Sequence, residues 1–153
     1  MNRKNKGISP VVATVIIVAI AIALAIAVAL WASGLVGIFT RFEEVKVISA
    51  YADIVGTGNF NVTMTLKNTG SADATIDNVI INGKPYGSWP GGITVKIGGT
   101  DFNPGVGYAL KAGDQKDLSI YIPSAAGFKS GQTLDIKIHT AAGHDYAKAV
   151  VLP

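Results

Sequence analysis

The chain has 153 residues, no cysteine and a formal net charge of +3, which allows one domain of roughly 100 residues with a real core plus a separate segment. Arg3, Lys4 and Lys6 lie within the first seven positions, and without them ten basic residues stand against ten acidic ones. So neutral a body offers no electrostatic footprint for nucleic acid, and with no disulfide available stability must come from packing.

Residues 1–7, Met1-Asn2-Arg3-Lys4-Asn5-Lys6-Gly7, are too short and too basic to fold. From Ile8 to Thr40 there is no charged side chain, and a helix over residues 8–40 would reach roughly 50 Å, more than a bilayer core of about 30 Å. Ala19 to Leu30 formally alternates with period two, but its length and alanine content argue for helix. Such a helix is apolar on every side, so it belongs in lipid or inside a bundle of other helices. Ser9 is placed to cap it, Pro10 suits the first helical position, and Gly34 and Gly37 fall near its exit.

Ala19, Ala23 and Ala27 form one row at spacing four, and Ala21, Ala25 and Ala29 form another on nearly the opposite face. Small residues in such rows let neighbouring backbones approach closely, and two opposed rows suit a helix with several neighbours. Val11, Val15, Ala19, Ile22, Ala23, Ile26, Ala27 and Leu30 are the candidate assembly residues. The same rows also fit an alanine-rich membrane anchor that packs against nothing, and the pattern does not separate the two.

From Arg41 the texture becomes short alternating runs between Gly, Asn, Asp and Pro. Phe60, Val62, Met64 and Leu66 alternate with Asn61, Thr63, Thr65 and Lys67, as in a strand with one buried face. Leu118-Ile120-Ile122 and Leu134-Ile136-Ile138 repeat the period. Further strands are expected over Val45–Ile54, Thr75–Asn82, Ile93–Ile97 and Tyr146–Leu152. Turns at Asn68-Thr69-Gly70-Ser71, Asn82-Gly83-Lys84, Pro90-Gly91-Gly92, Lys111-Ala112-Gly113-Asp114 and Ala142-Gly143-His144 separate them. Seven or so strands at this spacing imply a β-sandwich over residues 41–153, so the fold class is α+β: a long apolar helix, then an all-β head. Trp89 and Gly98 to Gly107 are expected in irregular loops. Tyr51, Tyr86, Trp89, Phe102, Tyr108 and Tyr121 are expected to fill core and loops rather than cage a ligand.

The segment Lys6-Gly7-Ile8-Ser9-Pro10-Val11-Val12-Ala13 resembles the class III signal of archaeal type IV pilins. Leu66-Lys67-Asn68-Thr69-Gly70 with Ala74-Thr75-Ile76-Asp77-Asn78-Val79-Ile80-Ile81-Asn82-Gly83-Lys84 resembles the immunoglobulin-like head of archaeal pilins and archaellins. The resemblance implies cleavage between Gly7 and Ile8 by a prepilin peptidase, insertion of the precursor in the cytoplasmic membrane, and polymerisation into a homo-oligomeric helical filament at the cell surface. It also implies an assembly ATPase, a membrane platform protein and adhesion as the task. Val12 stands where bacterial pilins carry an assembly glutamate, so acidic pairing with a mature amino terminus is not expected.

Chemistry elsewhere is sparse. His139, His144 and Asp145 flank a Gly turn without a clear third ligand for zinc, Asp53, Asp73, Asp77 and Asp101 lack calcium-loop spacing, and no nucleophile elbow or phosphate loop is present. The chain is therefore expected to be neither an enzyme nor a binder of metal or cofactor. Asn61-Val62-Thr63 is the only N-glycosylation tripeptide, a pattern that also arises by chance. The competing reading is a membrane-anchored extracellular binding module, with Trp89 or Tyr86 as sugar contacts, or a minor pseudopilin outside the bulk filament.

Overall fold

The computed structural model describes residues 9–34 and 41–153. The chain divides into two compact units at Arg41/Phe42.

The first unit contains helix α1, Pro10–Ala32. Pro10 occupies the first turn, where a missing N–H costs nothing, and the Ser9 carbonyl accepts the Ala13 N–H at 3.0 Å. Ser9 caps through its backbone only: its hydroxyl makes no capping bond. The 23-residue helix reaches roughly 35 Å and closes at Ala32; residues 35–40 of the expected span lie outside the described residues. Ser33 donates its N–H to Ala29 O, and Gly34 turns the chain at φ 71°, a left-handed conformation that glycine adopts without a steric penalty.

The second unit is a β-sandwich. Its strands are β1 Val45–Ile54, β2 Phe60–Asn68, β3 Ala74–Ile81, β4 Lys84–Pro85, β5 Thr94–Ile97, β6 Thr100–Asp101, β7 Tyr108–Leu110, β8 Gln115–Ile122, β9 Thr133–Thr140 and β10 Asp145–Val151. One sheet runs β1-β2-β8-β5-β6 and the other β10-β9-β3-β4, with β7 also pairing β3; every pairing is antiparallel. The inward rows Val62-Met64-Leu66, Leu118-Ile120-Ile122 and Val95-Ile97 join Ile76-Val79-Ile81 and Leu134-Ile136-Ile138 in one buried core. The period-two pattern dictates this arrangement, because side chains on alternate residues share a face.

All seven expected strands form, within a few residues of their expected ends. The short β4, β6 and β7 add to them, and β6 falls inside the expected loop over Gly98 to Gly107; two or three residues are too few to show an alternation. Of the six aromatics expected inside, Phe102 is buried and Tyr86, Trp89 and Tyr108 pack half-buried against the core. Tyr51 and Tyr121 face outward instead. Register is the reason: Tyr51 pairs with Thr63 and Tyr121 with Asn61, positions on the polar side of the sheet.

Candidate assembly surface

The first candidate surface is α1 itself. Val11, Val15, Ala19, Ile22, Ala23, Ile26, Ala27 and Leu30 all lie on it, and no α1 residue is buried. It has no acidic residue in its first turn and no basic residue in its last, so neither end complements the helix dipole. The polar side chains Thr14 and Ser33 are satisfied within the helix, donating to Val11 O and Leu30 O at 2.8 and 2.9 Å. Trp31 carries the other polar side-chain group on α1, near its C-terminal end, and the helix is long and apolar enough to cross a membrane. Val12 is one more exposed apolar position. Gly7 and Ile8, the expected cleavage pair, lie outside the described residues.

Where the chain enters the sandwich it is held by a turn. Glu44 O accepts the N–H groups of Thr69 and Gly70 at 2.8 and 3.3 Å, and Phe42 O accepts those of Ser71 and Ala72 at 2.9 and 3.0 Å. The Thr69 hydroxyl donates to Glu44 Oε2 at 2.7 Å, which holds that carboxyl below the usual carboxylate range, with Lys46 adding to the effect. Gly70 permits the approach: a Cβ there would collide with Phe42 O and lie 2.6 Å from Glu44 N. Beneath the turn, fully buried Asn68 accepts the Gly70 N–H on Oδ1 at 2.9 Å and donates through Nδ2 to Ala72 O at 2.8 Å and Leu110 O at 2.9 Å. The sequence marks 68–71 as a turn but carries no signal that Asn68 is its interior anchor, since asparagine usually serves turns from the surface.

Asn61, the expected glycosylation position, lies on β2 between β1 and β8. Its Oδ1 accepts from the Ser119 hydroxyl at 2.9 Å and its Nδ2 donates to Thr63 Oγ1 at 3.3 Å. Trp89 and Tyr86 are committed to packing. The Trp89 indole N–H donates to Ile81 O at 3.3 Å, its ring centroid lies 4.8 Å from that of Phe128, and Lys84 Nζ sits 5.2 Å from it. The Tyr86 hydroxyl donates to Phe102 O at 2.9 Å. These contacts use the groups a sugar would need.

His139 and His144 do not converge. His139 Nδ1 lies 2.5 Å from Asp77 Oδ1 across a register shift in β3, while His144 packs near Tyr146 at a centroid distance of 6.4 Å. The hydrogen bond to Asp77, helped by the charges of Asp77 and Asp145, raises the His139 pKa against a smaller opposing effect of burial. Among the described residues no three His, Cys, Asp or Glu side chains gather into a metal-binding group.

A second concave feature lies in the head. β1 and β10 are terminal strands of their respective sheets, and between them runs a shallow groove of about 430 Å³ lined by Val45, Lys46, Val47, Asp145, Tyr146, Ala147 and Lys148.

No protein-family model matches the sequence, and no curated protein matches it. Among solved structures, the archaellum periplasmic stator protein FlaG from Sulfolobus acidocaldarius is similar over 71% of this chain and 99% of its own, at 22% identity and a TM-score of 0.47. The copper-bound PCuAC domain from PmoF2 is similar over 72% of this chain and 97% of its own, at 7% identity and a TM-score of 0.48. The Iho670 flagellar-like filament subunit is similar over 94% of this chain and 98% of its own, at 13% identity and a TM-score of 0.38. None of these likenesses bears on what this chain does.

Proposed function

We propose that this chain is a structural subunit of an archaeal type IV pilus-like surface filament, with stems bundled through α1 and the sandwich exposed to the surroundings. One observation carries the reading: α1 is a 23-residue uncharged helix with no buried residue, attached to a head that already has its own core. Apolar surface on that scale demands cover from lipid or from other copies. The opposed alanine rows are compatible with several close helical neighbours.

In this reading α1 serves twice, first as a membrane anchor and then as a polymerisation stem. Cleavage between Gly7 and Ile8 by a prepilin peptidase removes Arg3, Lys4 and Lys6, so no cation is carried into an apolar bundle, where it would be costly. An assembly ATPase and a membrane platform protein then move the stem out of lipid. The role is structural rather than catalytic, and adhesion is the task assigned to the exposed head, with Asn61 as its candidate N-glycosylation position. The alternative of a sugar receptor built on Trp89 and Tyr86 loses support from the bonds those side chains already make.

Ile22→Asp in the producing cell tests the proposal. A carboxylate mid-stem costs several kcal/mol in an apolar bundle, so sheared filaments should disappear while the head stays folded. Abundant filaments built from that variant would refute the reading.

A further inference from the structure

Helix α1 carries its polar chemistry at its ends. From Val11 to Leu30 every side chain but one is plain hydrocarbon, and the exception, Thr14, returns its hydroxyl to Val11 O at 2.8 Å. That stretch rises roughly 29 Å, against a bilayer hydrocarbon core of about 30 Å. The next residue is Trp31, 74% exposed and the most exposed large apolar side chain of the helix. The first side chain past a bilayer-length run thus joins a large apolar ring to a polar N–H.

The helix is also finished at that level. A helix leaves its last four carbonyls open, and open carbonyls are expensive beside hydrocarbon. Here the chain closes most of its own: Ala29 O accepts the Ser33 N–H at 2.9 Å, Leu30 O the Ser33 hydroxyl at 2.9 Å and Trp31 O the Gly34 N–H at 3.1 Å. The indole N–H of Trp31, in contrast, meets no acceptor among the described residues. It is available to an acceptor from outside the chain.

We propose that Trp31 is the lipid-contact residue that sets how deep the stem sits in the membrane, with its indole at the headgroup level of the outer leaflet. Tryptophan is favoured there because its ring stays at the edge of the hydrocarbon while its N–H reaches the hydrated headgroups. Length selects lipid as the partner: the run from Val11 to Leu30 matches a bilayer's thickness, a match that a bundle of stems does not require. Charge sets the direction. Arg3, Lys4 and Lys6 precede the run, whereas no charge follows it before Arg41; the basic flank stays on the cytoplasmic side, which puts Trp31 at the outer face. The inference rests on the membrane-anchor half of the filament reading and adds to it the residue that fixes the anchor's depth.

The chain has two tryptophans, so the full-length Trp89→Phe variant reports on Trp31 alone. Helix and head are separate units, and any loosening of the head at position 89 leaves the helix readout intact. The variant is reconstituted into vesicles of phosphatidylcholine with a minority of phosphatidylglycerol, some carrying bromine near the headgroup end of the acyl chain and others near its tail end. Trp31 emission should be shifted to the blue of its value in water and quenched more by the shallow bromine than by the deep one. A mid-run reporter, Ile20→Trp with Trp31→Phe and Trp89→Phe, should show the reverse order. In the cysteine-free chain, Ala32→Cys then measures depth separately: an impermeant maleimide should label it more slowly once Trp31→Leu is added, and Trp31→Tyr should restore the parent rate. Stronger quenching of Trp31 by the deep bromine, quenching by neither, or a labelling rate indifferent to Trp31→Leu would overturn the placement and leave the anchor standing. A chain that does not float with the vesicles would overturn the membrane-anchor reading as well.

Discussion

Replacing Asn68 by alanine removes the side chain that joins the entry turn to the core, and its cost follows from the three hydrogen bonds it makes. Leu110 O also lies opposite Ala74 in the β3–β7 ladder, so it is not orphaned; it, Ala72 O and the Gly70 N–H would each lose one hydrogen bond, at about 0.5–1.5 kcal/mol apiece. The sum is about 1.5–4.5 kcal/mol, a large share of the roughly 5–15 kcal/mol that holds a domain together. Urea unfolding of residues 42–153, which contain the buried core, should show the midpoint falling by about 1.5 M at an unchanged slope, taking about 3 kcal/mol and a slope of about 2 kcal/mol/M.

Asn68→Asp sharpens the test. It keeps an acceptor for Gly70 but sets a carboxylate against two carbonyl oxygens. The charged form is disfavoured in the folded state, so the introduced group's pKa rises on folding. This variant should therefore be least stable at neutral pH and recover as pH falls toward about 4, where protonation restores one donor. A loss below about 1 kcal/mol for Asn68→Ala, or a pH-independent Asn68→Asp, would refute the view that this side chain is an interior anchor.

Gly70→Ala should push Phe42–Glu44 away from the turn, because the added methyl has no room against Phe42 O and Glu44 N. Hydrogen exchange should then report lost protection at the amides of Thr69, Ser71 and Ala72 while the β8 and β9 amides stay protected. His139, with its pKa raised by Asp77, contributes stability that is fully present below its unfolded pKa of about 6.5 and lost as pH rises through the folded value. The pair is one-third exposed, so the effect should stay below about 1 kcal/mol. His139→Gln should flatten that pH dependence, and an unchanged profile would show that another group carries it. Trp89→Ala should cost about 3 kcal/mol through the lost stacking on Phe128 and the lost bond to Ile81 O; near-neutral stability together with lost sugar binding would revive the receptor reading.

How much was legible in the sequence depended on whether the information was periodic. Val62-Met64-Leu66, Leu118-Ile120-Ile122 and Leu134-Ile136-Ile138 announce the buried faces of β2, β8 and β9, because a strand's side chains alternate whatever it packs against. The uncharged run likewise marks a helix that needs cover from lipid or from other helices, because a helix apolar on every face has no side to turn to water. Both signals are local, so one chain segment suffices to read them.

The rest required distant residues to meet. Asn68 reads as an ordinary turn asparagine until Leu110, 42 positions away, supplies the carbonyl that makes it an interior anchor. Tyr51 and Tyr121 resemble core aromatics until pairing with Thr63 and Asn61 turns them outward. The groove joins Val45–Val47 to Asp145–Lys148, near opposite ends of the head sequence. Alternation along a strand is covalent geometry and is written residue by residue; which strand lies beside which is settled by the whole core packing at once.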